Sequence, residues 1–215
     1  FPKGLSEDVE RRRKQDASIA SWQRFLRGLW LSGLRLGEAL ELYWDRPDKL
    51  SVDFDGRRPM FRIQAHLEKG NRDRMLPMTP DFAELLESTP EKDRTGHVFK
   101  LIGCYGKPRQ PNPEWASAQI SRMGQQARVL VNTTPTGKVK FASAHDLRRS
   151  FGARWATKVM PIVLQQLMRH ENIETTMRYY VGQNAEATAD AVWATMHHSQ
   201  DSDSRSEGSP KPSTP

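Results

Sequence analysis

Two segments in the last third of the 215-residue chain combine residue types that could carry out chemistry. In A-H-D-L-R-R-S-F, His145 and Arg148 are three residues apart, so a helix would put both side chains on one face. In R-H-E-N-I-E-T-T-M-R-Y-Y, His170 precedes Tyr179 and Tyr180. Two imidazoles, a guanidinium and a phenol can together activate a nucleophile and hold a phosphate.

Two cations nearer the start of the chain could join these residues. Arg35, in S-G-L-R-L-G-E-A-L, could be a surface residue paired with Glu38, or a phosphate clamp, since a guanidinium fork matches two phosphate oxygens. Lys69 lies in E-K-G-N-R-D-R-M-L-P, where Gly70 and Asn71 suit a turn. A Lys at a hairpin tip is usually only solvated, but its long stem could also reach a site.

These four segments, in the order in which they stand in the chain, resemble the active-site motifs of the tyrosine recombinases, or phage-type integrases. H-D-L-R-R-S-F is similar to the H-x-x-R box of that family, and R-H-E-N-I-E-T-T-M-R-Y is similar to its distal His followed by the nucleophilic Tyr. The resemblance spans about residues 15–185. One position departs from the pattern, because Arg169 stands before His170 where the family usually has Gly.

The resemblance implies a phosphate clamp made of three side chains. Arg35 and Arg148 would hold the non-bridging oxygens of a DNA phosphodiester, where charge builds up in the transition state. His170 would add a hydrogen bond. A single His is more often an ordinary hydrogen-bonded residue, and the resemblance favours the catalytic role here.

The resemblance also implies the groups that move protons and form the covalent bond. Tyr179 would attack phosphorus and become joined to the 3′ phosphate. Lys69 would protonate the departing 5′ oxygen, and His145 would be the acid/base partner of the tyrosine proton. The family's spacing from the distal His lands on Tyr179, although a local bulge would bring in Tyr180 instead.

Four further cations are candidates for contacts with the DNA backbone. Arg72 and Arg74 lie beside the predicted hairpin tip. Lys107 and Arg109 lie in the Pro-rich stretch C-Y-G-K-P-R-Q-P-N-P-E, which could equally be an ordinary linker. The partner implied by the resemblance is double-stranded DNA, on which the family assembles as a tetramer.

Composition agrees with a nucleic-acid partner without proving one. Lys and Arg number 33 against 26 Asp and Glu, giving a net charge of +7, which a basic surface alone would also explain. The single Cys104 excludes an internal disulfide and favours a reducing compartment, so we expect a cytoplasmic, DNA-associated protein. The sequence contains no long apolar run, so we expect no membrane span. The Cys and His spacings match no metal-binding pattern, and we expect no cofactor.

The pattern of apolar residues predicts a mainly α fold with a small antiparallel β-sheet (α+β), the fold class that the resemblance also implies. The first predicted helix runs from Ser6 to Gly33, and its core-facing residues are Ile19, Trp22, Phe25, Leu26, Leu29 and Trp30. Another predicted helix begins at Pro161, and its core-facing residues are Ile162, Leu164 and Leu167. The other predicted helices are Glu38 to Trp44, Thr79 to Glu87, Trp115 to Val131, Ser143 to Val159, Ile173 to Tyr180 and Ala185 to His198. Residues 50–77 alternate between short strand patterns and turn sequences, which predicts the sheet.

We expect residues 1–198 to form one catalytic domain and the Ser- and Pro-rich residues 199–215 to be a disordered tail. The first residue is not Met, so we expect the chain to be part of a longer protein. The resembled family usually carries a separate DNA-clamping domain before the catalytic one, and we expect that domain to be missing here.

The predicted function is a site-specific recombinase or integrase that cuts and rejoins DNA without metal or ATP. Two other functions fit part of the same pattern. A topoisomerase-like enzyme would nick and reseal DNA with this site, and a DNA-binding protein could keep the fold without cutting. The complete set of catalytic residues argues against the second alternative.

Overall fold

The computed structural model describes residues 3–63, 74–103, 112–133, 136–180 and 193. Its helices are α1 (Lys3–Ser32), α2 (Leu36–Leu40), α3 (Pro80–Glu87), α4 (Pro113–Gln126), α5 (Ala144–Ala156), α6 (Pro161–Met168) and α7 (Ile173–Met177). Its strands are β1 (Ser51–Asp53), β2 (Met60–Ile63), β3 (Arg74–Pro77), β4 (Leu130–Thr133) and β5 (Val139–Phe141). Helices dominate and the sheets are small and antiparallel, as predicted.

The first helix is longer than predicted, because it begins at Lys3 and includes Ser6. Residues 7–17 are exposed and rich in charge, and ion pairs three or four residues apart support a helix that is not packed on a core. Within the described ranges, no helix is both long and apolar enough to cross a membrane.

The second half of α1 contributes a narrow stripe of apolar side chains to the core. Trp22, Phe25 and Leu29 are buried, as predicted. Ile19 and Trp30, which were also predicted to be core residues, are 47% and 39% exposed. The three buried residues are spaced by three and four, so they share one face, and Trp30 lies at its edge.

The second helix ends at Leu40, whereas the sequence predicted a helix through Trp44. The chain becomes extended at Tyr43, whose N–H donates to the Leu50 carbonyl (2.9 Å) and whose carbonyl accepts from Val52 N–H (3.0 Å). Pairing with a later segment therefore overrides the local helical pattern.

The predicted three-stranded sheet is present, in the order β1–β2–β3, with both pairs antiparallel. Val52 faces Phe61, and Phe61 faces Leu76 across the sheet. Phe61 and Leu76 are buried, so this face of the sheet closes the core. Residues 64–73, which join β2 to β3 and include Lys69, lie outside the described residues.

The predicted helix from Trp115 to Val131 is too long, because α4 ends at Gln126. Arg128 adopts a left-handed backbone conformation, with φ of 52°, and turns the chain away. Leu130 then pairs with Phe141 in the β4–β5 hairpin and is 58% exposed, so it belongs to a strand and not to the predicted helix. The β-branched residues that follow α4 favour the strand.

The last three helices form a compact group with shorter elements than predicted. α5 begins after the predicted N-cap Ser143 but ends at Ala156, and α7 ends at Met177, so that both tyrosines lie in a following turn. In α6, Leu164 is buried as predicted, whereas Ile162 is 54% exposed.

Buried apolar side chains form two clusters. The larger cluster is built from α1 to α4 and the three-stranded sheet. The smaller cluster contains Phe151, Ala156, Leu164 and Met168, with the two tyrosine rings packed against it. Helices α1 and α5 contact each other and join the two clusters.

Candidate active site

Arg35 is positioned by the turn that follows α1. Gly33 has a φ of +62°, and a Cβ there would lie 2.5 Å from the Phe151 ring, so the turn requires glycine. Arg35 then precedes α2, and its backbone N–H donates to Glu38 Oε2 (2.6 Å). Its guanidinium, about half exposed, donates to Glu38 Oε1 (2.9 Å) and to the Arg169 carbonyl (3.3 Å). The predicted pairing with Glu38 is therefore present.

Arg169 and Glu38 form a second ion pair that links α2 to the end of α6. Arg169 has a left-handed backbone conformation, with φ of 52°, which explains why glycine suits this position. Its largely buried guanidinium donates to Glu38 Oε2 at 2.6 Å. Burial raises the pKa of Glu38, but Arg169 and Arg35 outweigh it and hold that pKa below its ordinary value. One carboxylate thus neutralises one of two guanidinium groups.

The helix α5 carries His145 and Arg148 on one face, as predicted. Its first turn is fixed by Asp146, which accepts from the Ser143 hydroxyl (2.6 Å) and from Lys140 (2.7 Å). Burial raises the pKa of Asp146, but these bonds lower it to a net value below its usual range. His145 is exposed at the start of the helix, and Arg148 is buried one turn later.

Arg148 is a cation held by backbone carbonyls. It is 6% exposed, and it donates to the carbonyl of Gly33 and to the carbonyl of Met168. Burial, followed by repulsion from Arg169 and Arg35, lowers the pKa of Arg148 to about 10. The side chain is therefore still charged at neutral pH, and it ties the end of α1 to the end of α6.

His170 follows Arg169, just after the end of α6, and its imidazole ring is neutral. Burial, and then the charges of Arg148, Arg35 and Arg169, lower the pKa of His170 to about 4. Its Nδ1 lies 2.9 Å from the hydroxyl oxygen of Thr176 in α7. At neutral pH the ring can therefore donate one hydrogen bond without adding a further charge.

The two tyrosines after α7 have different surroundings. The Tyr179 ring stacks near His170, with centroids 6.2 Å apart and planes 12° apart, and its hydroxyl forms no hydrogen bond to any residue that the structure describes. The Tyr180 hydroxyl donates to the Val159 carbonyl at 2.6 Å. Burial raises the pKa of Tyr179, although Arg148 and Arg149 partly oppose this, so its proton needs an acceptor at neutral pH.

These residues meet at an open cleft of about 920 Å³. The residues His145, Arg148, His170 and Tyr179 all line it. The first two are more than twenty residues from the last two in the chain. Arg35 is not among the residues that line the cleft, but it donates to the carbonyl of Arg169, the residue before His170. The cleft thus combines a phenol, a neutral imidazole, an exposed imidazole and buried positive charge, which suits attack on an anionic ester.

A sequence profile of the phage integrase family matches residues 10–186. The chain belongs to the phage integrase family. This is the family that the four motifs resemble, so that prediction is confirmed.

Known proteins of the same kind resemble the chain in sequence and in fold. The tyrosine recombinase XerC of Chlamydia caviae is 26% identical over 155 residues, which are 69% of this chain and 43% of the relative. The Tn1549 transposon integrase, in complex with transposon right end DNA, has a TM-score of 0.54 and 17% identity over 91% of this chain and 65% of that chain. XerA recombinase has a TM-score of 0.51 and 20% identity over 88% of this chain and 63% of that chain. This phage integrase chain therefore spans less than half of the XerC relative, and the structural similarities confirm its fold class.

Several candidate residues of this phage integrase chain lie outside the described part of the structure. They are Lys69, Arg72, Lys107 and Arg109. Arg74 begins β3, and its side chain also lies outside that part. Their predicted roles remain predictions.

The structure adds residues that the phage integrase motifs did not single out. A Cβ on Gly152 would lie 2.5 Å from the Tyr179 ring and 2.8 Å from Met168 Sδ, so α5 and the tyrosine segment meet at this glycine. An isolated Gly inside a helical pattern is the sequence signal for such a close approach. Arg149 and Arg178 also line the cleft, and no local pattern distinguishes them from other surface arginines.

Proposed function

We propose that this chain is the catalytic domain of a site-specific recombinase or integrase, which cuts and rejoins DNA through a 3′-phosphotyrosyl intermediate without metal or ATP. The observation that carries the proposal is the cleft lined by Arg148, His170, His145 and Tyr179, whose hydroxyl forms no hydrogen bond to any residue that the structure describes. Membership of the phage integrase family supports the same reaction. The DNA in the Tn1549 integrase complex supports DNA as the substrate.

The clamp on the phosphate uses two donors that are already in place and a third, Arg35, that can turn toward it. Arg148 is oriented by two carbonyls, and its other N–H groups can reach the non-bridging oxygens. His170 donates a further hydrogen bond as a neutral ring. Arg35 keeps N–H groups free of Glu38, and its half-exposed side chain can turn to the phosphate at the rim of the cleft. Preorganised donors of this kind stabilise the charge that develops in the transition state.

The covalent step joins the Tyr179 oxygen to phosphorus and breaks the bond to the 5′ oxygen. His145 accepts the tyrosine proton, and Lys69 gives a proton to the departing oxygen. The phosphotyrosyl ester conserves the energy of the broken bond. Attack by a different 5′ hydroxyl then releases Tyr179 and joins the new strand, which exchanges strands without ATP. We place this reaction on cytoplasmic DNA, in a tetramer of the chain.

The test is covalent capture of DNA by Tyr179. A pool of nicked duplexes with a randomised core serves as suicide substrate, because a short strand diffuses away after cleavage and leaves the protein attached. We expect the natural chain and Tyr180→Phe to form an adduct that survives denaturation. Tyr179→Phe should bind DNA equally well and form none.

Peptide mapping of the adduct identifies the attached residue. DNA joined to Tyr179 supports the proposal, and DNA joined to Tyr180 would reassign the nucleophile. A natural chain that binds the pool but never becomes attached would remove the proposed reaction, leaving a DNA-binding protein of the same fold.

A further inference from the structure

The contact between Thr176 and His170 determines which nitrogen of the imidazole carries a proton. Nδ1 of His170 and Oγ1 of Thr176 are 2.9 Å apart, a distance that fits either direction of donation. Thr176 is fully buried, so water cannot satisfy its hydroxyl. The direction follows from the remaining partners of the two groups.

The hydroxyl of Thr176 needs an acceptor for its proton. Among the described residues, Nδ1 of His170 is its one hydrogen-bonding partner. If Nδ1 carried a proton, the Thr176 hydroxyl would have to accept it, and its own proton would be buried without a partner. If Nδ1 is bare, the hydroxyl donates to it and both groups are satisfied.

A doubly protonated ring is excluded by the charges around it. Arg148, Arg35 and Arg169 all repel a positive charge on His170, and burial adds to their effect. The lowered pKa of His170, about 4, agrees with a neutral ring. The proton of that neutral ring must then lie on Nε2, the nitrogen that Thr176 does not contact.

We propose that Thr176 is a positioning residue, which donates to Nδ1 of His170 and thereby keeps Nε2 protonated as a hydrogen-bond donor for the scissile phosphate. The assignment of the proton stands on the contacts alone, and its consequence for cleavage rests on the proposed function. With the proton on Nδ1 instead, the lone pair of Nε2 would face an anionic oxygen and repel it.

The proton position can be measured without DNA. Long-range ¹H–¹⁵N correlation of the whole, ¹⁵N-labelled chain distinguishes the two tautomers, and His170→Gln assigns the signals by their loss. We expect the Nε2–H tautomer in the natural chain and in Thr176→Ser, and a mixture or the Nδ1–H tautomer in Thr176→Val. The Nδ1–H tautomer in the natural chain, or an unchanged ring in Thr176→Val, would overturn the inference.

The consequence for cleavage is measured as the rate of adduct formation at saturating nicked duplex. Thr176→Val should slow this rate by about tenfold to a hundredfold, less than the roughly hundredfold to thousandfold loss typical of removing a donor itself. Thr176→Ser should restore most of the rate because it keeps the hydroxyl. Equal defects in the Ser and Val variants would make Thr176 a packing residue only.

Thr79 offers a matched control outside the cleft. It is also buried, and its hydroxyl donates to the Leu31 carbonyl at 2.9 Å. Thr79→Val should lower stability as Thr176→Val does, yet leave the rate of adduct formation per folded molecule unchanged. A natural chain that forms no adduct would contradict the proposed function, and the tautomer measurement would still decide the role of Thr176.

Discussion

Arg148 and Arg35 differ as residues, although the motifs give them the same task. Arg148 is buried and satisfies two backbone carbonyls, which belong to Gly33 and Met168. Arg35 is about half exposed, and its main partner, Glu38, has Arg169 as a second cation. Arg148 therefore supports the fold as well as its proposed role in the phosphate clamp, whereas Arg35 can be lost without leaving a buried group unpaired.

Alanine at either arginine should abolish measurable cleavage, but only one substitution should weaken the fold. Loss of a preorganised donor costs about a hundredfold to a thousandfold in rate. Arg148→Ala also leaves two carbonyls without a donor, so we expect its free energy of unfolding to fall by about 1–3 kcal/mol. Urea denaturation beside the adduct assay measures both effects. An Arg35→Ala variant that is the less stable of the two would contradict this distinction.

The neutral state of His170 makes stability depend on pH. Its pKa is about 4 in the folded chain and 6.5 as an ordinary value, so the unfolded chain binds more protons between those values. The free energy of unfolding should therefore fall as the pH falls from about 6.5 to about 4, and the contribution should be fully present above pH 6.5. Denaturation series at several pH values, compared with His170→Gln, isolate it. An equally steep slope in His170→Gln would assign the dependence to other groups.

At the scale of elements, the position of Tyr179, the proposed nucleophile, depends on how closely α5 approaches the segment after α7. Gly152 lies in the middle of α5, with the Tyr179 ring and the Met168 sulfur where a side chain would begin. Glycine costs a helix about 1 kcal/mol relative to alanine. We infer that the close approach of the tyrosine to the helix offsets this cost.

Gly152→Ala should displace Tyr179 and slow adduct formation by about a hundredfold, the usual cost of a misplacement of about 1 Å. The control is Gly37→Ala in α2, where a Cβ would meet nothing within 4 Å. That variant should be at least as stable as the natural chain and cleave at the same rate. A Gly152→Ala variant with the natural rate would show that the tyrosine segment adjusts freely.

At the scale of the whole molecule, α1 and α5 join the two apolar clusters beside the cleft. Phe151 packs against Gly33, and Arg154 covers the Trp30 ring, with its guanidinium carbon 3.6 Å from the ring centroid. Arg148, in α5, adds its bond to the carbonyl of Gly33, the residue that follows α1. The cleft therefore depends on the docking of α5, and unfolding of the smaller cluster would dismantle it.

The excess of 33 basic over 26 acidic residues predicts that binding of the proposed DNA substrate depends strongly on salt. Backbone contacts release counterions, so the logarithm of affinity should fall linearly with the logarithm of salt concentration, with a slope of about −0.9 for each neutralised phosphate. Fluorescence anisotropy with labelled random duplexes of about 30 base pairs measures the slope, and we expect little difference between sequences. Binding that is indifferent to salt would contradict a backbone-dominated interface.

Much of the fold followed from local pattern. The cap at Ser143, the helix after Thr79 and the three-stranded sheet were all predicted, because capping, proline position and alternation act within a few residues. The predicted helices were too long where they included Trp44 and Leu130. In both places the segment pairs instead with a strand farther along the chain. Periodicity alone does not contain that pairing.

By itself the sequence determined the family and the candidate catalytic residues, since motif order and spacing carry that information. Only the tertiary structure decided how Arg148, His170 and Tyr179 are held, and which tyrosine hydroxyl has no hydrogen-bonding partner among the described residues. The tyrosines were predicted on a helix and lie in a turn, yet their side chains still diverge, because one packs on His170 and the other bonds Val159. Contacts such as Arg148 with Gly33, 115 residues apart, depend on how helices pack, and packing is a property of the assembled core rather than of any local stretch.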